Sequence, residues 1–259
     1  MDRAYISDCG FQNKQKAENF WWERLASAIL RLKRFERPMS ESDLTKKGRG
    51  IYEDPGEIDP NLWEKLSSMD VSEVCARAAV KYDHSGGCYH IPFLHQTYGC
   101  YPHNRLIECL DHDGSHKLSF QFYLVLLTYL IRSRPIGLAG RLVTGSEIKG
   151  GDFFFRGPHV LFTRPLEKRF GQDGQTFQEI GRRLGGSETE FGDVSFRLWP
   201  LPKIPLGYIL WVADEEFPAR LVVTFDLSIE EHFPLDVIWA LVNLVGGAML
   251  REAKSITGQ

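Results

Sequence analysis

Two apolar runs around one acidic break constrain this chain more than any other stretch. Residues 208–226 read Y-I-L-W-V-A-D-E-E-F-P-A-R-L-V-V-T-F-D. The flanking runs, 208–213 and 221–225, are apolar at nearly every position, not at every second one. Strands of that kind need cover on both faces, so they belong in the middle of a sheet. Phe217 and Pro218 stop the first run, and the pair reads as a hairpin. Asp214, Glu215 and Glu216 at its rim repel one another unless a cation, a basic partner or a raised pKa relieves them, or unless the turn is simply solvated. Asp226 ends the second run and is expected close to that rim. Glu230, Glu231 and His232 follow, and with the rim acids they form a candidate oxygen-rich cation site or cap the last helix.

The rest of the chain supplies helices without regular β-α-β alternation. Residues 119–132, S-F-Q-F-Y-L-V-L-L-T-Y-L-I-R, are apolar nearly all round and predict a helix inside the core. Residues 235–254 predict a long last helix behind Pro234. Amphipathic helices are expected over 161–170 and 176–184, the second closed by Gly185 and Gly186. A short helix over 60–69 precedes one capped by Asp70 or Ser72. A strand, a Gly-Gly turn and a second strand follow from Val80, with a further strand over 106–110, and strands over 141–148 and 193–199. The expected class is α+β, a mainly antiparallel sheet with packed helices. Residues 1–65 read as a helical N-terminal extension and linker, and 66–259 as the α+β domain. The stripe of Trp21, Trp22, Leu25, Ile29 and Leu32 within 14–35 packs on that domain or docks a protein partner.

Composition excludes several classes. At 259 residues and net charge −3, no nucleic-acid footprint is expected. The longest apolar run, 120–131, is short of the roughly 20 residues that cross a bilayer, so no membrane insertion is expected. Five irregularly spaced cysteines and no signal-peptide pattern point to a reducing cytoplasm. The charge is uneven: residues 132–183 hold ten Lys/Arg against five Asp/Glu, and 205–259 hold three against eight.

Two further constellations carry chemistry. Six of eight histidines and three of five cysteines fall within 84–116, including the C-x-x-H pairs Cys100–His103 and Cys109–His112. His95, Cys100, His103, Cys109 and His112 form a candidate metal set, although the spacing fits no zinc-finger template and strand alternation scatters such side chains over both faces. The segment G-G-D-F-F-F-R-G-P-H, residues 150–159, offers Gly150 and Gly151 for close backbone approach, Arg156 as an anion clamp, and His159, expected to open a helix, as ligand or base. It is neither a Walker loop nor a dinucleotide fingerprint.

Taken in order, G-G-D-F-F-F-R-G-P-H, L-G-G, G-D-V, L-P-K-I-P, W-V-A-D-E-E-F-P-A and V-T-F-D resemble a family defined only as a domain of unknown function, found mainly in anaerobic bacteria and archaea. The resemblance covers roughly residues 70–255, and D-E-E-F-P-A is its most specific piece. Some members are fused to the iron–sulfur domain type of corrinoid proteins, which implies a role near low-potential or corrinoid chemistry. The leading expectation is therefore a cytoplasmic cofactor-binding or accessory protein of anaerobic metabolism. Its ligand, a corrinoid or haem-type tetrapyrrole, a metal ion or an anionic cofactor, would touch Gly150, Gly151, Arg156, His159, Asp214, Glu215 and Glu216. Two alternatives stand beside it: an enzyme pairing a carboxylate base with His159 as acid, and a structural subunit of a larger redox or methyl-transfer complex.

Overall fold

The computed structural model describes residues 58–111 and 117–257. The stripe at 14–35, His112 and His116 lie outside the described residues. The elements in order are α1 (Pro60–Ser67), α2 (Val71–Ala78), β1 (Lys81–Asp83), β2 (Cys88–Phe93), β3 (Gln96–Tyr101), β4 (Leu106–Cys109), α3 (Phe120–Arg132), β5 (Leu142–Thr144), α4 (Gly151–Phe154), α5 (Arg164–Phe170), α6 (Gly174–Arg183), β6 (Ser187–Thr189), β7 (Val194–Leu201), β8 (Ile204–Trp211), β9 (Arg220–Asp226), α7 (Ile229–His232) and α8 (Leu235–Thr257). Every strand pairing is antiparallel. The first four strands form a meander, β1-β2-β3-β4, and the others a second sheet ordered β5-β9-β8-β7-β6. The class is α+β.

β8 occupies the centre of the second sheet and is buried at every position except Gly207 and Trp211. Its apolar run has the cover such a run requires. Phe196 and Tyr208, paired in register, stack at 5.9 Å between ring centroids, and Phe177 of α6 packs on Phe196 at 4.7 Å. Gly181 lets α6 come this close, because a Cβ there would stand 2.5 Å from the Phe196 ring. α3 is buried at every position from Phe122 to Ile131 and packs against α1, α2 and α8. α1 spans the 65/66 division and lies on α3.

Caps set several boundaries. Asp70 accepts from the Glu73 amide at 2.9 Å and starts α2, Ser119 starts α3, and Asp173 accepts from the Thr176 amide to start α6. Gly185 takes a left-handed φ of 79°, and the Gly186 amide reaches back to the Gly181 carbonyl at 2.8 Å, which closes α6. A backbone bond from the Leu94 amide to the Pro200 carbonyl, 3.1 Å, ties the meander to the end of β7. Among the described residues, no helix is long and apolar enough to cross a membrane.

Candidate functional site

The acidic break sits at the tip of the β8–β9 hairpin, where Trp211 pairs with Arg220. Asp214 closes the turn itself. Its Oδ1 accepts from the Glu216 amide at 2.8 Å and the Phe217 amide at 2.7 Å, and its own amide donates to the Phe217 carbonyl at 3.0 Å. Those backbone N–H groups, Phe217 first, hold its carboxyl below the usual range. Glu215 and Glu216 are exposed. Beside them opens a groove of about 600 Å³ lined by Asp193, Trp211, Asp214, Phe217, Ala219 and Arg220. Its aromatic walls face solvent: Phe217 is 66% and Trp211 39% exposed, and the Arg220 guanidinium lies 5.7 Å from the Trp211 ring centroid. Asp193 fixes one wall by accepting from the Val212 amide at 2.8 Å.

The basic segment reaches this tip. The Ala213 amide donates to the Gly171 carbonyl at 2.8 Å, and the Leu221 amide donates to Glu167 Oε1 at 2.9 Å. The end of α5, with Lys168 and Arg169, therefore lies against the acidic hairpin. Segments of opposite charge that stand far apart along the chain are here neighbours in space.

The glycine-rich segment folds against a different element. Gly150, at φ 76°, leads into the single turn of α4. Gly151 packs so tightly on the preceding turn that a Cβ would stand 2.0 Å from the Gly145 carbonyl oxygen. Arg156 pairs with Asp152 at 3.5 Å, both well exposed, and Phe153 is 82% exposed. His159 does not open a helix. It ends the 3-10 turn Gly157–His159, because Pro165 fits the first turn of a helix and α5 starts only at Arg164. Its ring stacks on Phe154 at 4.5 Å and meets Trp239 of α8 edge-on at 5.5 Å. Gly150, Arg156 and His159 thus share one loop on the first turns of α8, and Asp214, Glu215 and Glu216 share the hairpin tip.

Asp226 is at the wrong end of its strand for the acidic rim. β9 leaves the turn at Arg220 and runs six steps to Asp226, about 20 Å away. There Asp226, 4% exposed, accepts from the amides of Ala139 (2.8 Å), Gly140 (2.8 Å) and Ser228 (3.0 Å). Burial raises its pKa, but the bonds from Ser228, Ala139 and Gly140 outweigh it and leave the carboxyl below its ordinary range. Glu230 accepts from the Lys149 amide at 2.6 Å, and His232 Nδ1 accepts from the Arg134 amide at 3.2 Å. Asp226 ties a loop to the sheet, and Glu230 and His232 tie the Lys149 and Arg134 loops to α7.

The histidines and cysteines of the meander are scattered, as alternation requires. Cys100 is buried on the inner face, where burial pushes its thiol far up, and Cys109 follows on the same face of β4. His95 lies in the exposed β2–β3 turn. His103 lies in the β3–β4 turn, where it lines a groove of about 380 Å³ with Trp63 and Arg105. The length of β3, about 17 Å, separates those two turns. The set His95, Cys100, His103 and Cys109 does not converge on one point.

A family profile described as Domain of unknown function (DUF3786) matches residues 70–247, more than two thirds of the chain. The chain belongs to the DUF3786 family. No curated protein and no solved structure matches it. The DUF3786 span takes in the meander, the glycine-rich turn and the hairpin tip, and leaves α1 outside. What sequence reading of this DUF3786 domain missed is the groove itself. Asp193, Trp211 and Arg220 are far apart or unremarkable in sequence, and only the register of β8 with β9 brings the indole and guanidinium together. The available signal was an aromatic residue at each end of the acidic break.

Proposed function

We propose that the protein is a cofactor-binding or accessory protein of anaerobic metabolism, and that its ligand occupies the groove at the β8–β9 tip. The observation that carries this reading is the groove of about 600 Å³ with two solvent-facing aromatic walls and a guanidinium over one of them. That volume lies in the range of small-molecule sites. Exposed rings of Trp211 and Phe217 suit a flat conjugated ring system, with Arg220 and the nearby Lys168 and Arg169 available to anionic substituents. A corrinoid or haem-type tetrapyrrole meets that description, and the sequence resemblance makes a corrinoid the first probe.

The test is anaerobic purification, an absorption spectrum, and titration with hydroxocobalamin and with haem followed by difference absorption. Stoichiometric binding is expected, weakened about tenfold in Trp211→Ala and in Phe217→Ala, with both variants melting close to the parent. A colourless protein with no affinity for either tetrapyrrole overturns the proposal, as does binding unchanged in both variants.

A further inference from the structure

The outer face of the meander holds a second constellation, independent of the hairpin groove. Register pairs Asp83 with Cys88 across the mouth of the β1–β2 hairpin, and His90 follows two residues on, on the same face. One donor atom from each of Asp83, Cys88 and His90 lies within 4.8 Å of the other two, the one such trio among the described residues. Donors around a tetrahedral ion bound at 2.0–2.3 Å stand about 3.3–3.8 Å apart, so a small inward movement of the side chains would close on a metal.

Three local features prepare the trio. Ser85 donates its amide (2.9 Å) and its hydroxyl (2.6 Å) to Asp83 Oδ1, which orients the carboxylate and leaves Oδ2 for another partner. Gly86 keeps the space before those donors open, because a Cβ there would stand 2.6 Å from Asp83 Oδ2 and 3.8 Å from Cys88 Sγ. Tyr101 and Glu108 lie beside the Cys88 thiol on the next strands, polar neighbours behind the sulfur. Cys88 itself is buried although it lies on the outer face of the sheet.

We infer that Asp83, Cys88 and His90 form a site for a divalent transition metal of the zinc class, with its fourth position open to water or a ligand. Thiolate with imidazole selects against calcium and magnesium, which take oxygen donors. Three protein donors leave a tetrahedral ion one exchangeable position. On binding, the Cys88 S–H bond breaks, a sulfur–metal bond forms and one proton leaves to solvent, with no change of oxidation state. Affinity therefore rises about tenfold per pH unit while the free thiol remains protonated.

The test treats the full-length, chelator-stripped protein with cobalt(II), then displaces it with zinc(II). The parent should bind one equivalent and show a thiolate-to-cobalt charge-transfer band with tetrahedral visible bands. Cys88→Ser should lose the band. His90→Gln, at a half-buried position, and Gly86→Ala, which leaves all three donors in place, should each weaken binding at least tenfold. Cys109→Ser, on the inner face, should bind as the parent does. No band in the parent at millimolar cobalt, a band that survives Cys88→Ser, or unchanged affinity in folded His90→Gln overturns the inference.

Discussion

Acid should act on this protein through His232 in a way that can be isolated. The imidazole is 1% exposed and its Nδ1 accepts from the Arg134 amide. Burial, then the charges of Lys203 and Arg134, push its pKa down to about 4, against a weaker opposing pull from Asp226. Because the folded pKa lies below the unfolded value near 6.5, the unfolded chain binds the proton more readily, and stability falls as pH drops from about 6.5 to about 4. The shift of about 2.5 units bounds the loss at about 3 kcal/mol. It reaches about 1.4 kcal/mol at about pH 5.5 and about 2.6 kcal/mol at about pH 4.5. His232→Asn keeps an acceptor near the Nδ1 position and removes the titration. Urea unfolding of both proteins at about pH 7.5, 5.5 and 4.5 gives the double difference, in which carboxylates common to both cancel. The stability gap should change in favour of the variant by those amounts as pH falls. Parallel curves for the two proteins would refute the reasoning.

Two further outcomes follow from the core. Tyr129 donates its buried hydroxyl to the Ala78 carbonyl at 2.7 Å, whereas the buried Tyr208 hydroxyl has no partner among the described residues. Tyr129→Phe should therefore cost about 1–2 kcal/mol in urea unfolding and Tyr208→Phe should be neutral or stabilising; equal losses would contradict the assignment. Gly181→Ala should lower stability by about 1–3 kcal/mol, read as a melting-temperature drop, because its Cβ meets the Phe196 ring.

Much of the fold was legible because its strongest signals are periodic. The apolar run of β9 and the all-round apolar α3 appear where the sequence puts them, whereas β8 starts at Ile204, four residues before the expected run, and ends at Trp211. β3 was hidden, since Gly99 interrupts Q-T-Y-G-C-Y and its neighbours are turn-like. α4 is not legible, because glycine and a three-phenylalanine run carry no helical period. The candidate sites were less legible for a different reason. Asp214 and Asp226 belong to one hairpin, but the strand between them carries Asp226 about 20 Å from the rim, and reading the acids by residue type alone passes over that length. Likewise the count of histidines and cysteines in 84–116 was informative only as far as their faces: alternation sends Cys100 inward and leaves Cys88 and His90 beside Asp83, a residue that the count did not include.

The strand order β5-β9-β8-β7-β6 has a kinetic side. β7, β8 and β9 are joined in sequence by short turns, so their pairing closes small loops and needs no other stretch of the chain. β5 pairs Leu142 with Asp226, a separation of 84 residues (226 − 142), and must wait for a far larger loop to close. The three-stranded centre can therefore form early as a local unit, with β5, and the loop that Asp226 anchors through Ala139 and Gly140, docking afterwards on a ready-made edge.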